Sequence, residues 1–200
     1  MAKTSTRISI RGEQTREQIL KTARRLFAKR GYHSTSVYEL FEDSGISKGA
    51  FFHHWKSKEE LALTVFDGVR EDFERNFFSV LGEEQKSRFR IESILLKLSD
   101  LSSDPSWVYG RIFALWSAEL ANDEEKVGAA VNTLRSRWTA LWKELLKRAQ
   151  LEHDLRGDFS AENLSFLVIS AISGVLLLSG TQPGSNPRTA FDTLRRALLI

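Results

Sequence analysis

Apolar positions recur three and four apart through most of the chain, and period-two alternation is hardly visible, so the pattern predicts an all-helical fold. From about Glu13, Ile19, Ala23, Leu26 and Phe27 form one stripe, with Thr15 and Gln18 read as a capping box and Arg30 and Gly31 as the close. Ser36 with Glu39 repeats the capping pattern; Leu40 and Phe41 then supply an apolar face, and Gly45 suits the left-handed residue that ends a helix. Ser47 caps a third short helix that begins Lys48, Gly49, Ala50 and continues Phe51, Phe52, His53, His54, Trp55. Two short helices around a tight turn, the second opening on small residues, have the layout of a helix-turn-helix, whose second helix can approach DNA bases closely. The expected core of this three-helix head is Ile19, Leu26, Phe27, Tyr32, Val37, Leu40, Ile46, Phe51 and Trp55.

Ser57 and Glu60 make a further capping box, opening a long helix with Leu61, Val65, Val69, Phe73 and Phe77 at spacing four, expected to end near Leu81. Such a helix has one end in the head and the other in a body. There, Ile91, Ile94, Leu95, Leu98 and Leu101 mark a fifth helix, stopped by Ser102, Ser103, Asp104 and Pro105, which are read as a cap and first-position proline for the next. Residues 107–120 are aromatic on several faces, and Val127, Val131, Leu134, Trp138, Leu141 and Leu145 stripe a seventh helix over 123–150. Trp107, Phe113, Trp116, Trp138 and Trp142 thus crowd two consecutive helices. Each can fill a core; as a set they point to a pocket for a flat or greasy effector. Arg111 lies among them, suited to an anionic group or to a surface ion pair. Residues 160–180 are apolar nearly all round, but the apolar run 164–178 is shorter than the ~20 residues a bilayer needs, so a helix buried on several faces is expected instead.

Composition narrows the function. The 200 residues are 42% hydrophobic, enough for packed cores. The net charge of +3 is unevenly placed: residues 1–60 hold 12 Lys and Arg against 7 Asp and Glu, leaving 17 against 19 for the rest. A basic head on a slightly acidic body suits DNA phosphate, though a solvated basic surface gives the same count. Lys3, Arg7 and Arg11 read as a flexible basic arm over 1–12, either reaching a minor groove or simply a charged tail. There is no cysteine, which removes disulfides and thiolate metal sites and suits a reducing cytoplasm. No signal-peptide segment opens the chain, and adjacent His53 and His54 do not have the spacing of a helical metal pair. With no carboxylate pair, nucleophile with base, or phosphate-binding glycine loop, an enzyme is not expected, nor is a cofactor or metal.

Residues 15–61, TREQILKTARRLFAKRGYHSTSVYELFEDSGISKGAFFHHWKSKEEL, resemble the DNA-binding domain of the TetR family of bacterial transcriptional regulators. The LFAKRGY end of the first helix, the GISKG turn, the aromatic and histidine run and the KSKEEL opening occur in order. The resemblance implies a helix-turn-helix head over 13–60, an effector-binding and dimerisation domain over 61–200, a palindromic operator, a homodimer and a small-molecule effector. It further implies operator contacts by Thr35, Ser36, Tyr38, Lys48, Gly49, Ala50, His53, His54 and Lys58. Phe52 stands where many members have a tyrosine that bonds phosphate, and Phe41 where a small residue is commoner. By the same resemblance the last two helices form the dimer interface, through Leu167, Ala171, Gly174, Val175, Phe191, Leu194 and Leu198. A ligand-released repressor is the leading expectation; a small-molecule-binding helical protein without operator recognition is the alternative.

Overall fold

The computed structural model describes residues 2–79, 86–123, 125–155, 159–179 and 186–199, with side chains from residue 12 onward. The described residues form no strand but nine α-helices: α1 (Ala2–Arg30), α2 (Val37–Ser44), α3 (Lys48–His54), α4 (Lys58–Phe73), α5 (Ser87–Ser102), α6 (Tyr109–Glu119), α7 (Lys126–Leu151), α8 (Ala161–Leu178) and α9 (Pro187–Leu198). The all-helical expectation holds. The expected helix end near Leu81, the turn over 181–185, the side chains of Lys3, Arg7 and Arg11, and Ile200 lie outside the described residues.

Local chemistry sets most boundaries in the head. Ser36 accepts the amide of Glu39 and the Glu39 carboxylate accepts the amide of Ser36, closing the expected box at the start of α2. Gly45, at φ 66°, ends that helix in the left-handed region open to glycine. Ser47 accepts from the amide of Ala50, and Ser57 from that of Glu60, so α3 and α4 are capped as well. Each such cap stabilises its helix by about 1 kcal/mol.

The box expected at α4 closes only halfway, because the Glu60 carboxylate accepts the amide of Lys56 rather than that of Ser57, and the box expected from Thr15 and Gln18 is absent. α1 starts at Ala2 rather than near Glu13, so the 2–12 stretch set apart as an arm is helical backbone and Thr15 lies inside the helix. Gln18 instead donates 2.6 Å to the carbonyl of Ser44, tying α1 to the end of α2. Pro105 does not open a helix either: α6 begins at Tyr109, and the first-position proline is Pro187 in α9, behind the Asn186 cap.

In the head core, Ile19, Leu26, Phe27, Leu40, Phe51 and Trp55 are buried, with Val37 and Ile46 at its edge. Phe41 meets the Phe51 ring edge-on at 5.2 Å, so its bulk is absorbed by a favoured aromatic geometry. α4 leaves the head, ends in a π-helical turn over Glu74–Phe78, and packs on α6 and α7. In the body α7 packs against α5 and α8, and α9 lies on α5.

Candidate nucleic-acid interface and effector cavity

The caps on either side of Gly45 present one face of α3 to solvent. Lys48, Gly49, Phe52 and His53 are exposed on it, while Ala50 and His54 are half-buried. Beyond Gly49, a Cβ would meet nothing within 4 Å, so backbone can approach a surface laid against it. The Lys48 ammonium lies 6.0 Å from the Phe52 ring centroid. Tyr38 is 66% exposed and its phenol is held by the Glu42 carboxylate, which raises its pKa. Desolvation, then the neighbouring charges of His53 and Arg16, pushes the His54 imidazole below its usual pKa. Arg25 and Arg30 are meanwhile paired with Asp43 and Glu39.

Two expected phosphate contacts are occupied within the head. Thr35 is fully buried, its hydroxyl donating 2.8 Å to the Gly31 carbonyl. Lys58 turns inward as well, donating to the carbonyls of Tyr32 and Thr35 at 3.1 and 3.2 Å, with its ammonium 4.3 Å from the Tyr32 ring centroid. Burial lowers its pKa. The reason is shared: the turn before α2 packs under the first turn of α4, and its free carbonyls take the nearest cation. Ser36 stays exposed at the surface, although its hydroxyl serves the cap.

The tryptophan pocket is corrected. Trp116 is fully buried between Phe27 and Tyr32, met edge-on, and Phe66, stacked at 5.8 Å. Trp138 lies against Phe73, Phe77 and Trp142, and Phe113 meets Phe73 at 4.7 Å. Phe113, Trp116, Trp138 and Trp142 are therefore core. Of the five residues, Trp107 alone lines the larger described cavity, about 840 Å³ at the start of α6, with Val108, Arg111, Leu176, Ser179 and Arg188 among its walls. Its indole N–H donates 2.9 Å to the buried Asp72 carboxylate at the end of α4. Behind the ring, a Cβ on Gly110 would lie only 2.4 Å away.

From this cavity α6 runs back to the head and holds it at both ends. Arg111 donates 2.8 Å to the carbonyl of Ala28 in α1, and also 3.2 Å to that of Ser179 after α8. At the far end the Glu119 carboxylate accepts the amides of Tyr32 and His33 at 2.7 and 2.6 Å. Neither bond was foreseen. In the sequence Gly31 marks only a helix stop, and nothing local to Arg111 or Glu119 points to partners more than 80 residues away.

Comparison with known proteins places these features in a family. A model of the bacterial regulatory proteins of the tetR family matches residues 19–65, and a model of the C-terminal domain of LmrA/YxaF-like transcriptional regulators matches residues 90–191. The chain belongs to the TetR family. The LmrA regulator of Bacillus subtilis is 26% identical over 174 residues, spanning 86% of this chain and 90% of that one. The repressor AcnR of Corynebacterium efficiens is 46% identical over 61 residues, 30% of this chain and 31% of its own. AibR, solved in complex with isovaleryl coenzyme A and operator DNA, superposes with a TM-score of 0.78 over 92% of this chain and 97% of that one; at 18% identity the likeness shows the fold.

The expected TetR-type dimer surface divides in two. α8 is apolar along its length, yet only 22% of it is buried. Val168, Ile172 and Leu176 face the body, whereas Phe166, Leu167 and Leu178 are exposed, Ala171, Gly174 and Val175 lie at the edge, and the Cβ side of Gly174 is open. Phe191 and Leu198 are instead buried within the chain's own body, where α9 lies on α5 and Arg195 bonds Glu92 at 2.6 Å. Leu194 stays half-buried beside Leu167 and Val168 in a smaller hollow.

Proposed function

We propose that this TetR-family regulator is a repressor that binds a palindromic operator as a homodimer and leaves it when a small effector occupies the body. The reading rests on the outward face of α3, where a lysine, an open glycine and histidine sit together on a helix fixed by caps and a buried aromatic core. Helix N-termini laid in a major groove meet base edges with such small residues, and cations beside them meet phosphate. Thr35 and Lys58 are withdrawn from this surface, leaving Lys48, Gly49, Ala50, His53 and His54 as its centre, flanked by Ser36, Tyr38 and Phe52. The uncovered face of α8 supports a partner copy, and the cavity at the start of α6 supports an effector. The protein acts, on this reading, in the cytoplasm beside the chromosome.

A fluorescence-anisotropy titration of the DNA upstream of its own gene tests it. The native protein is expected to bind a fragment carrying an inverted repeat, with affinity that falls steeply as salt rises because phosphate contacts release counterions. Lys48→Ala with His53→Ala should weaken binding by about tenfold or more while leaving the unfolding curve unchanged, since both side chains are exposed. No binding by the native protein at low salt would favour a ligand-binding protein without operator recognition.

A further inference from the structure

The cavity at the start of α6 has a chemistry that the regulator reading does not specify. Its apolar wall is Trp107, Val108 and Leu176, and the indole is held flat by Gly110 behind it and by Asp72 at its N–H. Arg111 also lines it. Among the described residues this half-buried guanidinium meets carbonyl oxygens and no carboxylate: Nε takes Ala28 and Nη1 takes Ser179. A guanidinium carries five N–H donors, and its side-on fork pairs Nε with Nη2, so a two-pronged ligand on that edge needs the Nε–H now given to Ala28. The other charged walls lie nearer the rim, where Arg188 is largely exposed. Arg188 leans on Ser103 and Asp100, while the Asp104 carboxylate is turned to the amide of Ser106.

Resting on the ligand-responsive reading above, we propose that this cavity takes a flat apolar carboxylate, its ring against Trp107 and its carboxylate on Arg111, and that this contact competes with the Ala28 carbonyl for the same guanidinium. The bond to Ala28 is a single bond to a neutral oxygen, whereas a carboxylate brings a full negative charge and two parallel bonds, which add energy and geometric specificity. An occupant therefore draws Arg111 off α1. The cavity volume of about 840 Å³ lies within the range of small-molecule sites and holds a two-ring acid. The bond it breaks is one of the three hydrogen bonds described from α6 to the head, so occupancy is reported where α1 meets the turn before α2.

Calorimetric titration of the whole protein with 2-naphthoate and with its neutral counterpart 2-naphthamide tests the site without any DNA. The acid is expected to bind about tenfold or more tightly than the amide, and Arg111→Met to remove that preference while leaving amide binding in place. Hydrogen exchange supplies the second readout: 2-naphthoate should speed exchange of the amides of residues 28–33 in the native protein and not in the variant. Equal affinity for acid and amide, an undiminished preference in Arg111→Met, or no binding of either compound overturns the proposal. The acid-to-amide comparison needs no altered protein, so it stands even if the variant folds poorly. A failure here leaves operator binding, measured separately, as the judge of the regulator reading.

Discussion

Gly31 and Glu119 offer a sharp test of how the head is joined to the body. Gly31 sits at φ 85°, and a Cβ there would lie 2.4 Å from Oε2 of Glu119, whose carboxylate holds the amides of Tyr32 and His33. Glu119→Ala removes both charge-assisted bonds. Such bonds are worth about 1.5–3 kcal/mol each, but the exposed His33 amide turns to water, so a total near 2 kcal/mol is expected. Gly31→Ala adds left-handed strain of about 1–2 kcal/mol and drives the carboxylate off the same amides, for about 3–4 kcal/mol in all. The double variant has nothing left to clash with. Its cost should match that of Gly31→Ala alone, about 2 kcal/mol short of the sum of the single changes. Urea unfolding at one fixed protein concentration measures all three. Double-variant additivity within about 0.5 kcal/mol would show that the carboxylate and the glycine do not share one structure, and the clamp would be refuted.

Two other outcomes follow from the surfaces. Leu167→Glu should give a folded monomer by analytical ultracentrifugation because Leu167 is 62% exposed, whereas Phe191→Glu should fail to fold because that ring is buried in its own chain; an unchanged dimer for the first would reject the α8 interface. On the proposed reading, His54 is expected to link operator binding to pH. Its imidazole titrates below the usual value because the charged form is desolvated and faces His53 and Arg16. The unfolded chain therefore takes up more protons as pH falls below about 6.5, and the free protein loses stability on that descent. A phosphate against the ring favours the charged form instead, so operator affinity should rise from about pH 8 to about pH 6, and His54→Gln should flatten the profile; a slope unaffected by His54→Gln would remove that histidine from the interface.

What was legible in the sequence was what short stretches decide for themselves. Ser36 with Glu39, Ser47 and Gly45 act within one turn of backbone and form as expected, and Ser57 caps α4 although the Glu60 carboxylate takes the Lys56 amide. Phe51 on α3 and Trp55 just after its end are buried together, as their apolar character requires. Thr15 with Gln18 shows the limit of the rule. The pair has capping spacing, but α1 already runs through it, and Gln18 finds a carbonyl on another helix.

The misread residues have a common cause. A stripe of apolar residues says that a face must be covered and is silent on what covers it. Phe191 and Leu198 suit a partner copy as well as α5, and Trp116 or Trp138 suits an effector as well as Phe66 or Phe73. Polar residues that join distant elements leave still less trace, because Arg111 and Glu119 have the composition of any helix surface. Yet they set the geometry through which the cavity can act. Arg111 and Glu119 stand at opposite ends of α6, eight positions apart, and bond opposite sides of the same turn, the carbonyl of Ala28 before Gly31 and the amides of Tyr32 and His33 after it. Releasing Arg111 alone leaves the Glu119 end in place, so the head is expected to pivot about residues 31–33 rather than detach. A pivot changes the distance between two α3 helices in a dimer while each keeps its own core intact, which is the change that operator spacing reads most directly.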